Sequence, residues 1–178
     1  MRIIAGSRKG VHIFAPKGRD TRPTGDRVRE AAFNLIGPVD EARVLDLYAG
    51  SGAMGLEALS RGASRVVFVE TDREAQRTIE RNLEKLGLTG AELVSGDVAR
   101  RVAADVAAGR RYDLVLIDPP YHMLESSLAT LAPYLGAVLE ADGLVVVESD
   151  ARETPDLPLR VRTSRRYGSA RLTVYEAT

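Results

Sequence analysis

Asp46-Leu47-Tyr48-Ala49-Gly50-Ser51-Gly52-Ala53-Met54-Gly55 decides the fold of this chain. The run before and into it, Arg43–Leu47, reads as a strand, and Ala53–Arg61 as a helix ended by Gly62. Gly50, Gly52 and Gly55 match the G-x-G-x-x-G spacing at the turn between the two. Glycines at such a turn let a ligand approach the backbone and let the helix pack against the strand. No Gly-Lys-Ser/Thr follows, so the turn is not a P-loop.

The same rhythm continues downstream. Arg65–Val69 reads as a strand and about Asp72 to Leu86 as a helix. Glu92–Ser95 is a short strand and Val98–Ala108 a helix stopped by Gly109. Tyr112–Ile117 is the fourth strand, Leu124–Leu139 a helix that Pro133 bends or splits, and Gly143–Ser149 the fifth strand. Alternation of this kind implies a parallel sheet with crossover helices. Leu159–Thr163 and Ala170–Glu176, around Tyr167-Gly168-Ser169, predict an antiparallel hairpin at the sheet edge. Upstream, Ile3–Ala5 and Val11–Phe14 flank a glycine-bearing turn and predict a short hairpin. A helix with Val28, Ala31, Ala32, Leu35 and Ile36 on one face starts near Thr24-Gly25-Asp26, capped by Thr24 or Asp26, and stops at Gly37-Pro38. The expected fold is α/β: a Rossmann-like seven-stranded sheet, mostly parallel, with a C-terminal antiparallel hairpin and a small N-terminal extension.

Carboxylates at the strand ends narrow the ligand. Asp46 faces the glycine turn, where it repels a pyrophosphate but attracts a cationic amine. S-adenosylmethionine (SAM) carries an ammonium and a sulfonium and no phosphate. Glu70 ends the second strand, where a carboxylate accepts hydrogen bonds from both hydroxyls of a ribose. Asp97 follows the third strand, placed either to accept from an adenine amine or to cap the next helix. The cofactor set is then Asp46, Gly50, Gly52, Gly55, Glu70 and Asp97.

Asp118-Pro119-Pro120-Tyr121 ends the fourth strand, at the sheet edge where open α/β folds bind ligands. Asp118 and the carbonyl of Pro119 can take the two hydrogens of an exocyclic amine, and Tyr121 can stack on the ring that carries it. An amine of this type is a poor nucleophile, because its lone pair is delocalised. Accepting its hydrogens directs that lone pair outward, so positioning and charge stabilisation supply most of the catalysis.

These residues resemble the class I SAM-dependent amino-methyltransferases and, within them, the RsmD family. The resemblance spans nearly the whole chain: Arg2–Gly6, Arg22–Asn34, Asp46–Gly62, Asp118–Tyr121 and the Tyr167-Gly168 segment. Arg22–Asn34 is its most family-specific stretch, and Tyr121 stands where the family often has Phe. The resemblance implies methylation of guanine N2 in 16S ribosomal RNA (guanine 966 in the family) within the small subunit or its assembly intermediate. The motifs alone leave other acceptors open: adenine N6 or cytosine N4 of DNA, a protein glutamine amide, or SAM binding without catalysis.

Charge supports a polyanion. Residues 1–37 carry eight Lys/Arg against three acids, a balance of +5 that leaves −5 for the rest of this neutral chain. A basic arm on an acidic body suits a nucleic-acid partner. Arg8, Lys9, Arg22, Arg27 and Arg29 are its candidate phosphate contacts. Arg160, Arg162, Arg165, Arg166 and Arg171 form a second basic group. Residues 1–40 are thus read as a basic RNA-binding hairpin and helix, and 41–178 as the catalytic domain. The absence of cysteine excludes disulfides and thiolate metal sites. No apolar run reaches the roughly 18 residues of a membrane span, and Met1–Lys9 lacks the apolar core of a signal peptide. A cytoplasmic monomer without metal is expected.

Overall fold

The computed structural model describes residues 1–16 and 25–177. Seven strands form one sheet: β1 (Arg43–Leu47), β2 (Arg65–Glu70), β3 (Ala91–Ser95), β4 (Tyr112–Ile117), β5 (Leu139–Asp150), β6 (Arg160–Tyr167) and β7 (Ala170–Glu176). Their order is β3-β2-β1-β4-β5-β7-β6. The first five run parallel, and β7 lies antiparallel between β5 and β6. Strands buried on both faces need continuous apolar runs, which is what β1, β2 and β4 supply.

Among the described residues five α-helices cover the sheet: α1 (Asp26–Ile36), α2 (Ala53–Ser60), α3 (Arg73–Leu86), α4 (Val98–Ala107) and α5 (Leu124–Val138). One face packs Val44, Val66, Phe68, Leu114 and Leu116 against α1, α2 and α3. The other packs Leu45, Leu47, Val67, Val115 and Ile117 against α4 and α5. Ile3 and Ile13 join the first of these clusters, so the N-terminal segment shares the core of the sheet. Among the described residues no helix is long and apolar enough to cross a membrane.

The chain order places a switch point at the centre. After β1 the chain moves outward through β2 and β3, then returns to β4 on the other side of β1. Leu47 pairs with Ile117, so the ends of β1 and β4 lie side by side where the connections diverge. Crevices of this kind hold ligands in open α/β sheets.

Some expectations change. The N-terminal hairpin is reduced to a single Arg2–His12 bridge around a one-turn 3-10 helix, Gly6–Arg8. Buried Glu57 takes the N–H groups of Ile4 (2.8 Å) and Ala5 (3.0 Å), drawing them away from ladder pairing. Gly25, not Asp26, occupies the cap position of α1, and Asp26 is its first helical residue; Thr24 lies outside the described residues. The buried stripe of α1 is Arg29, Ala32, Phe33 and Ile36, with Val28, Ala31 and Leu35 only partly buried beside it. Pro133 lies inside an unbroken α5, held by the buried Leu131, Leu135 and Val138. Finally, β5 begins at Leu139 rather than Gly143, because residues 140–143 form an excursion between the Tyr112–Leu139 and Leu114–Leu144 pairs.

Candidate active site

The turn after β1 is built by backbone conformation and one buried acid. Tyr48, Gly50 and Gly52 all have positive φ, at 60°, 57° and 77°. Gly52 is the cap residue of α2, and its N–H returns to the carbonyl of Ala49 at 2.7 Å. A Cβ on Gly55 would lie 2.3 Å from Cε1 of Phe68, so only glycine allows α2 this close to β2. Asp46, only 4% exposed, accepts the Gly55 N–H at 2.9 Å. Burial pushes its carboxyl up to about 8; the Gly55 bond opposes the shift, and the charges of Asp118 and Glu70 add to it. That electrostatic link also places Asp118 in the same local field as the cofactor turn.

Glu70 ends β2 almost fully buried. It accepts from the N–H of Gly50 at 2.9 Å and from those of Thr71 and Asp72 at 2.8 Å each. The expected ribose acid is therefore also a brace for the glycine turn. Asp97 is exposed and caps α4 by accepting from Arg100 N–H at 2.9 Å. The cap reading is thus realised, at the carboxyl end of β3 on the same sheet edge. Asp118 is half-buried at the end of β4, Pro119 is buried and Tyr121 is 39% exposed at the start of a one-turn 3-10 helix.

The structure divides the proposed phosphate contacts. Arg29 is fully buried; it pairs with Asp26 at 3.0 Å and Glu57 at 3.5 Å and donates to the carbonyl of Arg2. A buried guanidinium held by carboxylates cannot reach a phosphate, so Arg29 is a core residue rather than an RNA contact. Arg8 is half-buried against the end of α3, donating to the carbonyls of Leu86 and Gly87, where it completes a helix C-terminus instead of projecting from a turn. Lys9 and Arg27 are exposed. Arg22 lies outside the described residues.

Three features escaped the sequence reading. The Tyr48 hydroxyl meets Ser127 of α5, joining the turn after β1 to the helix that follows Asp118–Tyr121. Buried Asn82 on α3 donates to the carbonyls of Phe14 and Ser51, both at 3.1 Å, and accepts from Phe14 N–H at 2.7 Å. The exposed Phe14 ring lies beneath Arg81 and Lys85, at 4.3 and 4.7 Å from its centroid. The i,i+4 spacing of Arg77, Arg81 and Lys85 was the available signal for a basic row on α3.

Buried acid at Asp46, a carboxylate at Glu70 and a turn without basic side chains fit a cationic nucleoside and disfavour a phosphate. Together with the strand order, they define the class I SAM-dependent methyltransferases. Comparison with known proteins narrows the class. The family model described as conserved hypothetical protein 95 matches residues 1–176. YlbH of Bacillus subtilis strain 168, named for rRNA methyl transfer, is 39% identical over 99% of this chain and 98% of its own. Ribosomal RNA small subunit methyltransferase D of Escherichia coli K12 is 36% identical, covering 89% of this chain and 79% of its own. The solved structure of a hypothetical protein from Thermus thermophilus superposes with a TM-score of 0.86, at 36% identity over 99% of each chain. The chain belongs to the RsmD family of ribosomal RNA methyltransferases.

Proposed function

We propose that this protein transfers a methyl group from SAM to the N2 amine of a guanine in 16S ribosomal RNA, acting as a cytoplasmic monomer on the small subunit or its precursor. The observation that carries the reading is the pairing of Leu47 with Ile117. It sets the cofactor turn and Asp118-Pro119-Pro120-Tyr121 side by side at the switch point. The relatives named for small-subunit rRNA support RNA as the acceptor, and guanine N2 follows from the family resemblance.

SAM would supply an electrophilic methyl on a positively charged sulfur, and the sulfur–methyl bond that breaks on transfer would leave the neutral thioether of S-adenosylhomocysteine. Asp46 and Glu70 are the acids suited to its ammonium and ribose, and Gly50, Gly52 and Gly55 keep side chains out of its path. Asp118 and the Pro119 carbonyl accept the two amine hydrogens, so the nitrogen presents its lone pair for in-line attack. As that nitrogen becomes cationic, the Asp118 carboxylate stabilises it and receives the proton. Tyr121 holds the base by stacking, worth about 1–3 kcal/mol per base in single-strand sites. A base paired in its RNA must first be extruded, and Tyr121 receives it. Residues 1–40 form the basic extension, with Lys9, Arg27 and Arg22 as its phosphate contacts.

The test uses methyl-labelled SAM with small ribosomal particles lacking the modification, naked 16S rRNA, duplex DNA and a protein extract. Label in the particles or rRNA, mapped to guanine N2, is expected. Label confined to DNA or to protein overturns the reading, and SAM binding without label in any substrate reduces the protein to a binding module.

A further inference from the structure

We propose that the tip of the β6–β7 hairpin, through Arg165 and Arg166, is a second RNA-phosphate contact at the rim of the active site. This rests on the rRNA reading above and adds a surface to it.

Strand register makes the case. Ile117 pairs with Val147 on β5, so the ends of β4 and β5 share one edge of the sheet. Asp150, at the end of β5, pairs with Ala170 at the start of β7, and Ala170 pairs with Tyr167 at the end of β6. The turn between β6 and β7 therefore sits on the edge that carries Asp118. Arg160 and Arg162 sit at the other end of β6, toward the opposite edge.

The five arginines of this hairpin then separate by environment. Arg160 is ion-paired with Glu176. Arg171 donates to Ser164 at 2.9 Å and to the carbonyl of Ala151 at 3.1 Å, which fixes it within the hairpin. Arg162 is exposed at the register shift, away from the active edge. Arg165 and Arg166 are exposed, and among the described residues neither side chain has a hydrogen bond or ion pair. They alone combine exposure, an unneutralised charge and the catalytic edge.

Their two side chains straddle the sheet. Arg165 is opposite Leu172, whose side chain is on the α1 face, and Arg166 is opposite Arg171 on the other face. On the α1 face a third cation lies toward the same rim. Arg29 meets Glu57 and Phe33 lies under Arg61, so α1 runs alongside α2 in the same direction. Its first turn, with exposed Arg27, thus points to the edge where α2 begins. A strand bearing a phosphate at each nucleotide, with one base turned toward Tyr121, meets cations on both faces of the sheet along the β5–β7–β6 flank of the crevice. A second role open to such residues is to guard the bare edge of β6 against pairing with another sheet, and that role leaves RNA affinity unchanged on mutation.

The test compares wild-type protein, R165A/R166A, and R162A as a same-strand control. Each is assayed for methylation of unmodified small particles and for direct binding to naked 16S rRNA between about 50 and 200 mM salt, the range over which phosphate contacts register most strongly. The double variant is expected to raise KM for particles by about tenfold and weaken rRNA binding in parallel, with SAM affinity unchanged. Each lost phosphate contact lowers the slope of log affinity against log salt by about 0.7–0.9. R162A should match wild type. Particle KM and rRNA affinity within twofold of wild type in R165A/R166A overturns the inference. Loss in R162A equal to that of the double variant overturns it too, since position on the hairpin then counts for nothing. Failure of the wild type to label particles is instead a failure of the rRNA reading, and the binding arm still judges the hairpin.

Discussion

The carboxylate of Asp46 accepts the backbone N–H of Gly55 at 2.9 Å, closing the whole cofactor turn between the end of β1 and the first turn of α2. One buried acid thus braces the turn at which SAM is proposed to bind. Without a cation beside it, burial raises its pKa from the ordinary 3.8 to about 8.

Between about pH 4 and pH 8 the folded protein retains a proton on Asp46 that the unfolded chain has lost. Ligand-free stability therefore falls as pH rises through this window and levels off above it. A cationic ligand favours the ionised carboxylate, so SAM affinity should rise over the same window, with proton release on binding. Asp46→Asn keeps an acceptor for Gly55 but cannot ionise. Thermal unfolding of the variant should vary less across about pH 5 to 8.5, and calorimetry should show SAM binding weakened at least tenfold. Superimposable pH profiles for the two proteins would assign the titration to another group.

Gly55 makes a packing prediction. A methyl group there meets Cε1 of Phe68 at 2.3 Å and Cγ1 of Val66 at 2.8 Å, in a wall with no spare space. Gly55→Ala should cost about 1–3 kcal/mol, the usual range for an overpacked core. Phe68→Leu in the same molecule should return part of that loss. Urea unfolding of the two single variants and the double variant gives the coupling; strict additivity would show that the two side chains do not compete for space.

The central sheet was legible because its strands are buried on both faces and so are continuously apolar. β1 and β4 have the bounds that their sequences suggested, as does β7. β6 was foreshortened because Arg160-Val161-Arg162-Thr163-Ser164-Arg165-Arg166 has no apolar alternation, and an edge strand paired on one side needs none. The positions of the acids at the strand ends were legible for a related reason, since a charged residue closes each apolar run. Burial of Arg29 was not legible. Its partner Glu57 lies on another helix, and in the sequence Arg29 looks like any exposed basic residue.

That correction is itself testable. Arg29→Met should destabilise the protein by about 3–5 kcal/mol, because breaking a buried ion pair leaves Glu57 undercompensated. KM for RNA in the folded fraction should stay at the wild-type value. Arg27→Ala should do the reverse, weakening RNA binding in a salt-dependent way at unchanged stability. An RNA affinity lowered more by R29M than by R27A, at equal fraction folded, would restore Arg29 to the binding surface.

A variant at Asp118 separates the proposed chemistry from cofactor binding. It follows β4, while the cofactor turn follows β1 and is closed by the carboxylates of Asp46 and Glu70. Asp118→Ala should abolish methyl transfer and leave SAM affinity within a few-fold, because it removes the amine acceptor without disturbing the turn. Removing one negative charge beside Asp46 should also lower the Asp46 pKa, shifting the SAM-affinity profile to lower pH. Single-turnover assays with calorimetry read both effects. Loss of SAM binding in step with activity would assign Asp118 to the cofactor.

Asn82 ties the N-terminal segment to the glycine turn. Its side chain bonds both backbone groups of Phe14 and the Ser51 carbonyl, from a position with no solvent access. Asn82→Ala strands these groups, and each buried group left without a partner costs about 1–3 kcal/mol. Ser51 sits between Gly50 and Gly52, so the freed turn should sample conformations that bind SAM poorly. The expected signature is a rise in SAM KM exceeding tenfold with kcat reduced less than threefold, along with lower thermal stability. Asn82→Asp should be worse than Ala for SAM binding, since a carboxylate cannot donate to either carbonyl and sets its own charge against both oxygens. A fall in kcat at unchanged SAM KM would show that Asn82 holds the catalytic loop rather than the cofactor turn.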